Sequence, residues 1–306
     1  MKAKQIIQAK LEAELSQITH QSLNSTFVGY SKKLQQQVFV KVFPQKNKFI
    51  TEKAVNRQLY PHRVLTSFTI TAAQQLYVLV MKDLAPIDLK LPVTAELAYV
   101  MGVKLAEFHQ KVKPFAGIYP NNNLFVKAER DIAQLQESTI KTRLQLLLRD
   151  LSSLQPTIES DLLNHSTTVL HGDVGVRNYK IINGEPKLID FERARMGVNY
   201  QDFIKLLYQD FGLNKELITS FVNGYKSSGE TVMASPSTQV FLLLLTAIGI
   251  MSYTAKISDP PFQRVGEKML DTVELFLKRM NSSGSNSPIN ETNSSIPELI
   301  ALIPRD

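Results

Sequence analysis

Leu170-His171-Gly172-Asp173-Val174-Gly175-Val176-Arg177-Asn178, continuing through Tyr179–Ile182, Asn183-Gly184 and Lys187-Leu188-Ile189-Asp190-Phe191-Glu192, decides how this 306-residue chain is read. Asn-Gly between two apolar runs is the strongest short hairpin signal, because both positions tolerate the positive φ of a type I′ turn. A two-residue turn fixes the register. Pairing Ile182 with Glu185 and counting outward sets Asn178 opposite Ile189, with Asp190 next at the open end of the hairpin. Asn178 and Asp190 are then diagonal neighbours, within roughly 8 Å at the Cα level. An Asn carbonyl and an Asp carboxylate are hard oxygen donors of the kind Mg²⁺ uses, since it takes few protein ligands and fills its shell with water and phosphate oxygens. Asp173, five residues before Asn178 on the loop entering the hairpin, is left free to accept a proton from an attacking hydroxyl.

At these residues the chain resembles the aminoglycoside phosphotransferase and choline kinase family, whose pattern is His-Gly-Asp, four residues, Asn, then an Asp-Phe-Glu-like triplet. Asp202 in Tyr200-Gln201-Asp202 resembles the family's downstream structural Asp, and His109 in Glu107-Phe108-His109 a family position without chemical duty. The resemblance implies a protein-kinase-like α+β fold with two lobes, a small antiparallel-sheet N-lobe and a larger, mostly helical C-lobe. It implies ATP and Mg²⁺ as cofactors, Asp173 as catalytic base, Asn178 and Asp190 as metal ligands, and a small-molecule hydroxyl as phosphate acceptor.

Such a site needs a cation on the nucleotide phosphates, held by a carboxylate. In the strand Val38–Phe43, Lys41 shares a face with Phe39 and Phe43, while Val38, Val40 and Val42 take the other. An ammonium buried there costs several kcal/mol unless paired, roughly the penalty of any buried ion. Glu52 supplies the partner, since it lies on one stripe with Phe49, Val55 and Leu59 of a helix expected over Phe49–Tyr60. Chain order alone places the hinge at Val80-Met81-Lys82-Asp83, where the backbone of Val80 and Lys82 is assigned to adenine. The phosphate-covering turn, Ser31-Lys32-Lys33-Leu34-Gln35-Gln36, has no Gly-rich cradle. His171 is assigned a backbone hydrogen bond near the catalytic loop rather than the role of base.

Three segments follow: an N-terminal nucleotide-binding lobe at 1–83, a catalytic and substrate lobe at 84–280, and a Ser/Asn-rich tail at 281–306 expected to be disordered. Met1–Leu15 reads as an amphipathic helix whose apolar stripe continues to Ile18, and Lys82–Leu91 as a linker. The second lobe opens with a helix capped by Thr94 and carries a long leucine-rich helical stretch over about 127–154. Val240–Tyr253 is too short for a membrane span, which takes roughly 18 to 20 residues, and reads as a buried core helix.

The chain has no cysteine, which excludes disulfides and thiolate metal sites and is compatible with the cytoplasm. Its five histidines are scattered, which argues against zinc. The net charge of +7 is uneven: residues 1–83 hold 12 Lys+Arg against 4 Asp+Glu, and residues 84–306 hold 23 against 24. The N-lobe lysines are not interleaved with aromatics, so nucleic acid is not expected. The competing reading is a non-catalytic pseudokinase of the same fold, binding nucleotide or a partner. A polycationic acceptor would call for a pocket rich in carboxylates, and residues 84–306 are only balanced in sign.

Overall fold

A computed structural model describes residues 3–18, 24–120, 123–165, 167–229 and 234–282. The first lobe begins with α1 (Ala3–Leu11), followed by β1 (Ala13–Ile18), β2 (Ser25–Ser31), β3 (Gln36–Phe43), α2 (Lys46–Leu59), β4 (Val64–Thr71) and β5 (Gln75–Lys82). The strands form an antiparallel sheet in the order β1-β2-β3-β5-β4. Period-two alternation gives the sheet two apolar faces. Val38, Val40, Val42, Val78 and Val80 pack with Ile7 and Leu11 of α1, while Phe43, Leu79 and Met81 pack on the other face with Phe49 of α2.

The single N-terminal helix expected over Met1–Leu15 is divided. Glu12 takes φ 48°, which ends α1, and Ala13–Ile18 joins the edge of the sheet against Ser31–Thr26. Leu11, Leu15 and Ile18 satisfy a helical stripe, but Ala13 and Leu15 also alternate with exposed residues. The ladder bonds gained along β2 decide between the two patterns.

After β5, β6 (Ile87–Asp88) interrupts the expected linker and pairs with the hairpin strand β8 described below. Then come α3 (Ala95–Lys111), capped by Thr94 Oγ1, α4 (Leu124–Ala133), α5 (Thr139–Ser152) and α6 (Gln155–Asn164). The leucine-rich stretch is therefore two helices with a break at Gln134–Ser138, because Ser138 accepts from the Lys141 amide and starts α5 afresh. β7 (Thr168–Leu170) leads into the catalytic-loop sequence, followed by β8 (Tyr179–Ile182), β9 (Glu185–Leu188) and β10 (Arg195–Gly197), which returns to pair with β7. α7 (Gln201–Lys205), α8 (Lys215–Lys226), α9 (Pro236–Thr254) and α10 (Pro260–Ser282) complete the lobe. The expected Ser/Asn-rich tail lies outside the described residues apart from the end of α10.

α9 is long and apolar enough to cross a membrane by length and composition, yet Val240–Leu245 are all buried in the lobe. Phe241 stacks on Phe125 of α4 at 4.0 Å between centroids. It serves as the core helix. Helices α3 and α8 cross in close contact, and a Cβ built on Gly224 would lie 1.9 Å from the Tyr99 carbonyl oxygen. The three nearest atoms are all Tyr99 backbone, so nothing flexible can yield. Gly224→Ala is expected to destabilise the fold by about 1–3 kcal/mol, the usual cost of overpacking, read as a lower urea midpoint at unchanged slope.

Candidate active site

The hairpin register is the one the Asn-Gly turn dictates. Ile182 pairs with Glu185 and Tyr179 with Leu188, and the turn residues Asn183 and Gly184 take φ of 54° and 81°. The Ile189 amide donates to the Asn178 carbonyl at 2.9 Å, so the frame reaches the functional end. Asn178 sits in a 3₁₀ turn (Val176–Asn178), and its side-chain NH₂ donates to the Asp173 carbonyl at 2.7 Å. That bond fixes the amide with its oxygen turned away from the loop. Asp190 follows with φ 66°, a conformation Asp tolerates better than most residues. Its neighbour Phe191 is fully buried, stacked on Phe108 and edge-on to His171, and anchors the turn that presents Asp190.

The His-Gly-Asp segment is held by backbone hydrogen bonding. His171 Nε2–H donates to the Ile189 carbonyl at 2.9 Å, and Nδ1 accepts from the Asp173 amide at 3.3 Å. With both nitrogens engaged, His171 is a spacer between the loop and the hairpin. Gly172 takes φ 80°, and a Cβ there would meet the Arg193 carbonyl oxygen at 2.1 Å. Asp202, at the start of α7 and almost inaccessible, accepts from the His171 amide at 2.6 Å, the Gly172 amide at 2.9 Å and His109 Nε2 at 3.0 Å. His109 Nδ1 in turn lies 2.7 Å from the Tyr225 hydroxyl on α8. The α3–α8 crossing thus fixes the loop through this chain. Burial opposes charging of Asp202, but His109 and nearby cations outweigh it and hold its pKa below the usual carboxylate value.

In the first lobe, Lys41 is 5% exposed and lies 3.4 Å from Glu52 Oε2, which is itself buried. Asn56 donates to Glu52 Oε1 at 2.9 Å, and Arg63 donates to Asn56 Oδ1 at 2.6 Å, so the carboxylate is braced from behind. Lys41 Nζ also reaches across the lobes to Asp190 Oδ1 at 2.5 Å and Glu192 Oε2 at 2.9 Å. Burial lowers the Lys41 pKa, yet the three carboxylates reverse this and hold it above its ordinary value. For Asp190 burial acts upward, and Lys41 brings the net shift below the usual carboxylate value.

The structure therefore joins Lys41, Glu52 and Asp190 directly, and joins Asp173 to Asn178 through the loop. Val80 is not brought to this group. It is 0% exposed, its backbone pairs with Val40 and Thr66, and its side chain lies on the valine-rich face away from Lys41. Met81 takes the face shared with Lys41. The amides of Lys82 and Asp83 donate to the carbonyls of Arg63 and Gln37 at 2.7 and 3.2 Å. The Leu84 amide has no hydrogen-bond partner among the described residues.

Four charged residues to which the sequence pattern gives no role, Glu192, Arg177, Lys205 and Arg193, join the site. Glu192 binds Lys41 and also Lys48 at 3.2 Å. Asp173, largely buried, is gripped by Lys205 Nζ, by Arg177 at 2.8 Å, and at 4.0 Å by Arg193. Burial would raise its pKa, but these cations hold the carboxyl well below the usual range. A π-helical turn (Leu206–Asp210) directly after Lys205 directs Asp210 at the Val176 amide, 3.3 Å away. Lys205, one turn after Asp202 on the same short helix, was the available signal.

The donors suit a hard divalent cation. Asp190 supplies a carboxylate and Asn178 an amide oxygen that its own NH₂ bond leaves outward, a set Mg²⁺ completes with water and phosphate oxygens. No group of three or more His, Cys, Asp and Glu that could hold a metal ion is found among the described residues.

A Lys–Glu pair between a small sheet and its helix, facing an Asp-loop and an Asn/Asp hairpin from a helical lobe, is the arrangement of the protein-kinase-like phosphotransferases. The chain belongs to the phosphotransferase enzyme family (APH), whose model matches residues 14–235. Among solved structures it is similar to a thermostable mutant of aminoglycoside phosphotransferase APH(4)-Ia, at 12% identity and TM-score 0.65 over 92% of this chain and 100% of that one. Choline kinase LicA from Streptococcus pneumoniae gives 15% identity and TM-score 0.60 over 88% and 99%. Amicoumacin kinase hAmiN in complex with AMP-PNP, Ca²⁺ and Ami gives 13% and 0.61 over 89% and 94%. These likenesses establish the two-lobed fold. No curated protein matches the chain in sequence.

Proposed function

We propose that the chain is an ATP- and Mg²⁺-dependent small-molecule kinase that moves the γ-phosphate of ATP to an acceptor hydroxyl. The observation that carries this is the meeting of Lys41, braced by Glu52, with Asp190 across the two lobes. A buried ammonium placed within reach of a metal-type carboxylate is what a polyphosphate bridging the two requires. A pseudokinase has no need to retain Asp173, Asn178 and Asp190 together.

In this reading Lys41 would pair with the α- and β-phosphates once nucleotide is bound, and Asp190 and Asn178 are the residues that would hold Mg²⁺. Mg²⁺ held there would supply charge neutralisation of the phosphate oxygens. Asp173 orients the acceptor hydroxyl in line. The acceptor oxygen forms a bond to Pγ, the bond from Pγ to the ADP oxygen breaks, and the hydroxyl proton passes to Asp173 and on to solvent. With Asp173 held so acidic, its proton transfer comes late, and most of the rate enhancement comes from positioning. Adenine is received by the Lys82 carbonyl and the Leu84 amide, with Met81 on its face of the sheet.

The test is thermal stabilisation by ATP with Mg²⁺ and with a chelator, followed by ADP release over a panel of hydroxyl compounds. Stabilisation that needs both ATP and Mg²⁺, with ADP release from at least one acceptor, is the expected result. Indifference to ATP rules the reading out.

A further inference from the structure

A cavity of about 720 Å³ opens on the C-lobe side of Asp173, between the catalytic loop, β10 and helices α4, α6, α9 and α10. Its composition bears on the acceptor, and the argument rests on the kinase reading above. Arg177, Arg193, Arg195 and Lys205 all line it. Three of them contact Asp173. Arg195 stands at the start of β10 opposite Leu170, with a guanidinium nitrogen 2.6 Å from where a Gly172 Cβ would be, and makes no ion pair among the described residues.

The remaining charges of the wall do not offset these cations near the reacting end. Asp202 is buried, holds two amides and His109, and partly balances Arg195 from behind, and Asp259 accepts from the Phe262 amide at the start of α10. Glu159 is bound by Gln155, and Lys127 is paired with Asp131. Around the hydroxyl position the four cations outnumber the carboxylates: Asp173 faces them, Asp210 stands beside Lys205 and Arg177 behind the loop, and Asp202 is buried behind Arg195. The far wall is apolar, with Leu245, Ile250, Tyr253 and Phe262.

We propose that the phosphate acceptor is an alcohol that also carries an oxyanion, a carboxylate or a phosphate, which Arg195 and Arg193 receive while the hydroxyl faces Asp173. A polycationic acceptor meets like charge at the same place and is rejected. An acceptor anion that draws Arg177 or Lys205 from Asp173 also frees a carboxylate oxygen for the hydroxyl.

Matched sets test this: D-gluconate and D-glucose 6-phosphate against D-glucose and D-glucosamine, and D-glycerate against glycerol and 2-amino-1,3-propanediol. Binding is measured by ligand-observed NMR on wild type, Arg195→Glu and Arg193→Glu, with MgATP stabilisation recorded in parallel. In at least one set the anion is expected to bind tenfold or more tightly than its neutral and ammonium partners, and the preference to vanish in Arg195→Glu. Gluconate against glucose 6-phosphate then decides which oxyanion is taken. No anion preference in either set, preference for the ammonium compound, or a preference that survives both substitutions overturns the proposal. Loss of MgATP stabilisation in Arg195→Glu also overturns it, by assigning the cations to nucleotide. If wild type ignores MgATP yet prefers the anions, the kinase reading fails and the oxyanion site stands.

Discussion

Asp173→Ala is expected to lower turnover by about 10²–10⁴-fold, the range for loss of a positioned acid–base group, while MgATP still stabilises the protein. Asp190→Ala is expected to lose both turnover and the Mg²⁺-dependent part of the stabilisation. The two carboxylates flank the hairpin frame, Asp173 on the loop before Asn178 and Asp190 just after Leu188, but occupy different electrostatic settings. Asp173 is gripped by Lys205, Arg177 and Arg193 on the cavity side, whereas Asp190 is bound to Lys41, which is itself tied to Glu52. Removing Asp190 leaves Lys41 paired with Glu52 and Glu192, so the fold keeps its buried ammonium satisfied and a loss of nucleotide response reports on metal binding. Equal loss of nucleotide response in both variants would contradict the separation of roles; undiminished turnover in Asp173→Ala would sink the mechanism.

The second large effect is on stability. Asp202→Ala strips acceptors from two backbone amides and from His109 in a site with almost no solvent access. Breaking a buried charged network from one side costs about 3–5 kcal/mol, a large share of the roughly 5–15 kcal/mol that holds a domain folded. Asp202→Asn keeps the shape but offers an NH₂ where the carboxylate accepted, so it restores only part. Urea unfolding separates these cases, and an alanine variant within about 0.5 kcal/mol of wild type, the scatter of ordinary surface changes, would remove Asp202 from the frame of the loop.

The same carboxylates set the acid limit. Asp173, Asp190 and Asp202 all have folded pKa values held below their unfolded ones. The stability each contributes is present above the unfolded value, about 3.9, and is lost as pH falls through it toward the folded value. The thermal midpoint should therefore fall steeply below about pH 4, and less steeply in Asp202→Asn, which has one fewer native carboxylate to protonate.

Much of this was legible in the residues. Asn183-Gly184 imposed the register that puts Asn178 and Asp190 at one end, since a two-residue turn leaves no freedom to slip. Period-two alternation placed Lys41 opposite the valines, and helical spacing placed Glu52 on the inner stripe, so their pairing followed from two local periodicities. Tertiary structure alone decided the rest. It divided Met1–Ile18 between α1 and β1, because sheet bonds along β2 outweighed a pattern that fits both periods. It turned the Val80 side chain away from the site, brought Arg193 and Lys205 to Asp173 from separate elements, and set Arg195 in the wall of the same cavity. A turn or a stripe is written within a dozen residues and can be read there, whereas the charge of a cavity is a sum over side chains that only folding brings together.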